Sequence, residues 1–240
     1  MAMTESLLAN LELAAGDIEL IAVTRGPGSF TGVRIGVAAA KGLAWGLDIP
    51  ICGVSTLEAM AYQAPLFGIA YNPSIVLCPV MDARRAQVYN ALFVWRDAKL
   101  TRLCADRAIS LDDLATDLRS RAAQHTAAEQ HTAAQRTAAA QHIAEQHTAA
   151  AQHTAAAPYI LIGDGATISY EHLSTAGIAC QIAPPLLQWQ TAYGAALAAL
   201  HSDERISPSS LEPVYLRSSQ AEQSSNHALP HTATADAEPI

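Results

Sequence analysis

Basic residues are scarce in this chain. Its 14 lysines and arginines face 22 aspartates and glutamates, a formal charge of −8, and the isoelectric point is near 5.5. No global positive field draws such a chain onto nucleic acid by phosphate neutralisation, so direct, unaided binding of nucleic acid is disfavoured. Cysteine is sparse too. Cys52, Cys78, Cys104 and Cys180 form no C-x-x-C pair, which excludes the usual zinc and redox frameworks. They lie in or beside apolar runs, and buried reduced thiols in a cytosolic protein are the reading that fits. A basic segment followed by an apolar one is missing from the start, and the longest apolar-looking stretch, residues 35–47, is cut by Lys41 and several glycines. Neither a signal peptide nor a membrane span is expected.

What is present points to an α/β chain of two lobes. Met3, Leu7, Leu8 and Leu11 recur at helical spacing, with Gly16 where a left-handed C-terminal cap is expected. Residues 18–23 read as a buried strand running into Arg25-Gly26-Pro27-Gly28-Ser29. A helix follows over 30–46, a second strand over 49–54, and Ser55 N-caps a helix to about Gln63. Proline and glycine around 65–73 mark a boundary. The first lobe is therefore assigned to residues 1–66 and the second to 67–217. In the second, strands are expected over 75–81 and 87–94, a helix from Ser110 to Leu118, a strand over 159–162 ending in Gly163-Asp164-Gly165, and a small-residue helix over 191–200.

Residues 121–157 interrupt the second lobe with a degenerate Gln-His-Thr-Ala-Ala repeat, glutamine standing at 124, 130, 135, 141, 146 and 152. Its alanine favours an exposed helix or helix-prone disorder, not a core. Successive histidines fall about half a turn out of phase, so they scatter rather than converge on a metal. The tail, 218–240, is Ser, Ala, His and Pro rich and is expected to be disordered.

The most informative segment runs from Arg25 to Gly36, Arg-Gly-Pro-Gly-Ser-Phe-Thr-Gly-Val-Arg-Ile-Gly. It lacks the Gly-Lys-Ser/Thr of a Walker A loop, and Thr31 stands where the dinucleotide fingerprint needs its third glycine. Gly26, Gly28 and Ser29 at a helix N-terminus still offer backbone N–H groups to an anion, beside the plainer role of capping. Gly32, Gly36, Ala40 and Ala44 then recur every four residues, a row of small side chains fitting close approach either to the chain's own sheet or to a helix of another subunit. Glycine inside a helix costs about 1 kcal/mol relative to alanine, which backbone proximity can offset.

This segment, together with Ile49-Pro50-Ile51-Cys52-Gly53-Val54-Ser55-Thr56-Leu57, resembles the TsaB (YeaZ) family. Asp82-Ala83-Arg84 with Val88-Tyr89, Gly163-Asp164-Gly165 and Pro213-Val214-Tyr215-Leu216-Arg217 resemble its later motifs, in order. The resemblance implies an actin-like, Hsp70-like ATPase fold with two RNase-H-like lobes. It implies a non-catalytic partner or scaffold for a TsaD-like catalytic paralogue, working with a TsaE-like ATPase to form threonylcarbamoyladenosine next to the tRNA anticodon. On that reading tRNA is met only through the complex, homodimerisation is open when the chain is alone, and Leu7, Leu11, Gly32, Gly36 and Ala40 form the partner interface. No cofactor is bound tightly; ATP or ADP is expected only at a partner interface, with Gly26, Gly28, Ser29, Gly163, Asp164 and Gly165 as candidate contacts.

Two departures stand out. Where the TsaD paralogue carries a His-x-Glu-Gly-His-like metal motif, this chain reads Thr56-Leu57-Glu58-Ala59-Met60, and neither a hydroxyl nor a thioether replaces imidazole on a hard or borderline metal. No transfer chemistry and no metal are expected. Second, the family opens with three strands and an Asp-Thr-Ser-like phosphate loop, whereas this chain starts at the first helix, leaving the first lobe N-terminally incomplete. In-frame upstream codons are expected to encode roughly 35–40 residues, about enough for three strands. The rival class is a hydrolase, since the wider family resembles proteins labelled M22 glycopeptidases. His172 and His201, the histidines outside repeat and tail, sit in no recognisable Ser/Cys–His or metal arrangement.

Overall fold

The computed structural model describes residues 2–67, 75–96, 99–136 and 158–217, with side chains to residue 123 in the third stretch. Most of the 121–157 repeat and all of the 218–240 tail lie outside the described residues.

The first lobe begins with α1 (Ala2–Asn10), none of whose residues is buried. The expected left-handed cap at Gly16 is not formed; the helix ends earlier, and Glu12 takes the positive φ of 56°. Strand β1 (Ile21–Thr24) and β2 (Ile51–Val54) pair in parallel, Ile21 with Ile51 through Thr24 with Val54. Between them runs α2 (Phe30–Leu47), N-capped by Ser29, whose hydroxyl accepts from the Gly32 amide, and closed by Asp48 in the left-handed region. α3 (Thr56–Ala61) follows directly, with Ser55 accepting from the Glu58 amide.

The second lobe is built on a sheet of order β5-β4-β3-β6-β7. Its strands are β3 (Val76–Arg84), β4 (Gln87–Arg96), β5 (Lys99–Ser110), β6 (Tyr159–Ile162) and β7 (Cys180–Ile182). The first three form an antiparallel meander, β6 joins β3 in parallel and β7 joins β6 in parallel. Helix α4 (Leu111–Arg136) packs Leu111, Leu114, Ala115 and Leu118 on one face of this sheet, and α5 (Ala166–Thr175) adds Leu173. The strand–glycine turn–helix–strand unit β6–α5–β7 repeats the pattern β1–α2–β2. β3 covers the far edge of β6, whereas the far edge of β1 has no strand partner among the described residues.

A physical link between the lobes escaped the domain boundaries drawn above. Helix α6 (Ala192–Leu200), capped by Thr191, lies in sequence after β7 but packs against α3, β1 and β2. Gly194 makes this close approach: a Cβ there would overlap the Ala59 carbonyl oxygen. α3 in turn packs on β3 and β4, so Leu57, Met60, Leu77, Phe93, Ile162 and Ala198 share one core. Residues 202–217 form a strap over the first lobe. Ile206 bridges Ile51, Leu211 is wholly buried among Val37, Ala44 and Ile51, and the Lys41 ammonium donates to the Ser209 and Leu211 carbonyls.

Candidate functional site: the interlobe cleft and the outer helical face

The first feature that could carry function is a cleft of about 950 Å³ between the lobes. The turn after β1 forms one wall, and the β3–β4 hairpin the other. Gly26 has φ 127°, and a Cβ on it would overlap the Val214 carbonyl oxygen. Its glycine character is thus required by the strap, which the Val214 amide ties to Arg25 O at 2.7 Å. Gly163 has φ 121° and presses on Val80 O and the Met60 methyl, while the Gly165 amide is used by Val80 O at 3.1 Å. Gly28, Ser29 and Asp164 line the cleft; Gly26, Gly163 and Gly165 take up space against backbone instead. Asp164 accepts from the Asp82 amide at 3.2 Å.

Residues that the sequence did not bring together complete this wall. The ring of Tyr215 lies 4.7 Å from that of Phe30, the Arg34 guanidinium sits 3.9 Å over Phe30, and its Nε donates to the Tyr215 hydroxyl at 2.9 Å. Arg217 donates to Ala83 O across the cleft. The closing motif was visible as Pro213–Arg217, but not what it closes on.

No histidine or cysteine lines this cleft; among the described residues no group of three His, Cys, Asp or Glu is placed to hold a metal, and Thr56 and Met60 are 2% and 1% exposed. His201 stacks on Tyr62 at 5.2 Å, and His172 meets the exposed Asp112 at 3.0 Å. Cys52, Cys78 and Cys180 are buried and Cys104 is half-buried, all as free thiols; burial pushes the Cys78 thiol up to about 12.

The second feature is the outer face of α1 and α2. Val33, Val37, Ala40 and Ala44 of α2 turn toward the first-lobe core. The opposite side leaves Ile35 65% and Trp45 72% exposed, and Met3 and Leu7 of α1, with Leu11 just after it, are exposed as well. The row Gly32, Gly36, Ala40, Ala44 is therefore not one face. A four-residue step overshoots a helical turn by about 40°, so the row winds from the rim of the interlobe cleft, which Gly32 and Gly36 line, into the core: a Cβ on Gly36 would meet nothing within 4 Å, whereas Ala44 is fully buried.

Comparison with known proteins agrees with this architecture. The family model described as TsaD: tRNA N6-adenosine threonylcarbamoyltransferase matches residues 1–223. The chain belongs to this family, in its TsaB/YeaZ branch. The tRNA threonylcarbamoyladenosine biosynthesis protein TsaB of Bacillus subtilis (strain 168) is 40% identical over 121 residues, 50% of each chain. The protein of that name from Haemophilus influenzae is 33% identical over 139 residues, 52% of this chain and 57% of the relative. The chain thus matches about half the length of these relatives. A solved structure described as YeaZ from Pseudomonas aeruginosa superposes with a TM-score of 0.63 at 22% identity, covering 90% of this chain and 82% of that one. The fold is the actin-like ATPase fold with RNase-H-like lobes, and no helix among the described residues is long and apolar enough to cross a membrane.

Proposed function

We propose that this chain is a cytoplasmic, non-catalytic partner of a TsaD-type threonylcarbamoyltransferase in forming N6-threonylcarbamoyladenosine on tRNA. The observation that carries the reading is the exposure of large apolar side chains on the first lobe, Leu7 of α1, Leu11 just after it, and Ile35 and Trp45 of α2, together with open backbone on another side of α2 at Gly36. Large apolar side chains this exposed are the composition of a protein interface rather than of a solvated surface. Gly32 and Gly36 let a partner helix approach the backbone of α2; Ala40 supports that helix from below. Thr56 and Met60, in place of the paralogue's metal-binding histidines, support assigning the transfer step to the partner. The acidic charge of −8 supports tRNA being met through the complex, which includes a TsaE-like ATPase. ATP or ADP is held at a partner interface, with Gly28 and Ser29 on the near wall of the cleft.

Size-exclusion chromatography with light scattering on a mixture with a TsaD-type transferase tests this. Co-elution that is lost on Ile35→Asp, in a variant that keeps its thermal transition, is the expected result. Equal co-elution by wild type and variant would overturn the interface.

A further inference from the structure

The edge strand β5 is doubly bulged. Against β4, Arg107 pairs with Asn90, Cys104 with Leu92 and Arg102 with Phe93. Ala105 and Asp106 therefore share the single opposing Ala91, and Leu103 opposes no residue. Bulges bend a strand and re-aim its side chains. In a regular strand, residues four apart stand about 13 Å apart, yet here the Arg102 guanidinium donates to the Asp106 carboxylate. Both side chains end on the first turn of α3, in the other lobe. Arg102 donates to Glu58 at 2.7 Å, and the Ser55 hydroxyl, which caps α3, donates to Asp106 at 2.5 Å. The guanidinium also lies 4.6 Å from the centre of the buried Phe93 ring.

That turn is a wall of the interlobe cleft: Thr56 lines it, and its amide donates to Gly26 O at 2.9 Å. Beside the turn lies a second, open depression of about 390 Å³, lined by Ser55, Glu58, Arg102 and Asp106 together with Arg25 and Glu204. Apolar packing of Leu57 and Met60 anchors the body of α3. At its start, Ser55 and Glu58 face the polar cluster and this depression.

We propose that this cluster is a conformational latch. The double bulge of β5 holds Arg102 and Asp106 against Ser55 and Glu58, and this fixes the separation between the turn at residues 25–29 and the hairpin at 82–85. Releasing Arg102 frees Ser55 and Glu58 at the start of α3 and loosens the turn at residues 25–29, which the Thr56 amide ties to it, so that the cleft widens while Leu57 and Met60 keep the shared core intact. The latch is independent of the proposed partner role, because it is read on the isolated chain.

Hydrogen exchange measured by mass spectrometry on the full chain tests it. In Arg102→Gln, amides in segments 25–29 and 55–60 should exchange at least about tenfold faster while those of β3, β6 and α5 are unchanged. Arg102→Lys, which keeps the charge but not the fork, should fall between. Wild type in about 1 M salt, which weakens such partly buried pairs only modestly, should shift the same two segments in the same direction by less than Arg102→Gln does. Exchange in 55–60 that ignores both perturbations, or acceleration spread evenly over all segments, would overturn the latch and leave an ordinary structural ion pair.

Discussion

Replacing Gly36 by leucine separates an intermolecular role for α2 from an intramolecular one, because the structure assigns the two roles opposite signs. A Cβ at Gly36 meets nothing within 4 Å, and the position borders the cleft, so the side chain can extend into it in the isolated chain. Leucine is also a better helix former than glycine, by about 0.5–1 kcal/mol. For a chain of this size that gain raises the melting temperature by roughly 1–4 °C. At an interface where a partner helix approaches the backbone, the same branched side chain overpacks, costing about 1–3 kcal/mol. That corresponds to roughly a five- to hundredfold loss of affinity. The assay is paired: thermal unfolding of Gly36→Leu alone, and titration with the TsaD-type transferase by calorimetry. Unchanged or raised stability with weakened binding is the expected pair. A variant that melts early would show that Gly36 faces the chain's own core. One that binds with wild-type affinity would show that the partner docks elsewhere.

Gly26→Ala should destabilise the first lobe by about 2–5 kcal/mol in urea unfolding, since it combines positive-φ strain with overlap on Val214; a loss under about 0.5 kcal/mol would mean that the strap is not seated there. Asp117 is partly desolvated, but its hydrogen bonds to Arg107 and Arg121 hold its carboxyl below the ordinary 3.8. Its contribution to stability is complete above that value and is lost as pH falls through the lower folded value. Asp117→Asn should flatten the acid limb of the stability–pH curve, and an identical limb would refute the assignment. The Cys78 thiol, at about 12 when folded against an ordinary 9.0, contributes stability below pH 9 that is lost as pH rises toward 12. It should resist alkylation at neutral pH until the chain is unfolded, whereas labelling of Cys78 in the native protein would contradict its burial.

Much of the fold is legible in local signals, and the failures have physical causes. α2 and α6 could be read because Ser29 and Thr191 are strong N-caps, and β2 and β6 because every residue is buried, so the run is unbroken. β5 is hidden because its two bulges destroy the alternation that marks a strand, leaving Thr-Arg-Leu-Cys-Ala-Asp-Arg without period. β7 has only three residues. The placement of α6 and the strap on the first lobe is purely tertiary, and with it the reason for glycine at 26. The row Gly32, Gly36, Ala40, Ala44 does not lie on one face, since its step does not match the helical period.

The central claim is that this chain supports threonylcarbamoyl transfer without performing it. Reconstitution measures this directly: nucleoside analysis of tRNA incubated with ATP and the threonylcarbamoyl donor, together with this chain alone, the TsaD-type transferase alone, or both with the TsaE-like ATPase. Modified adenosine should be absent with this chain alone and should rise at least about tenfold, a coupling of roughly 1.4 kcal/mol, when it joins the transferase and ATPase. Product formed by this chain alone, or a transferase rate unaffected by its addition, would contradict the account.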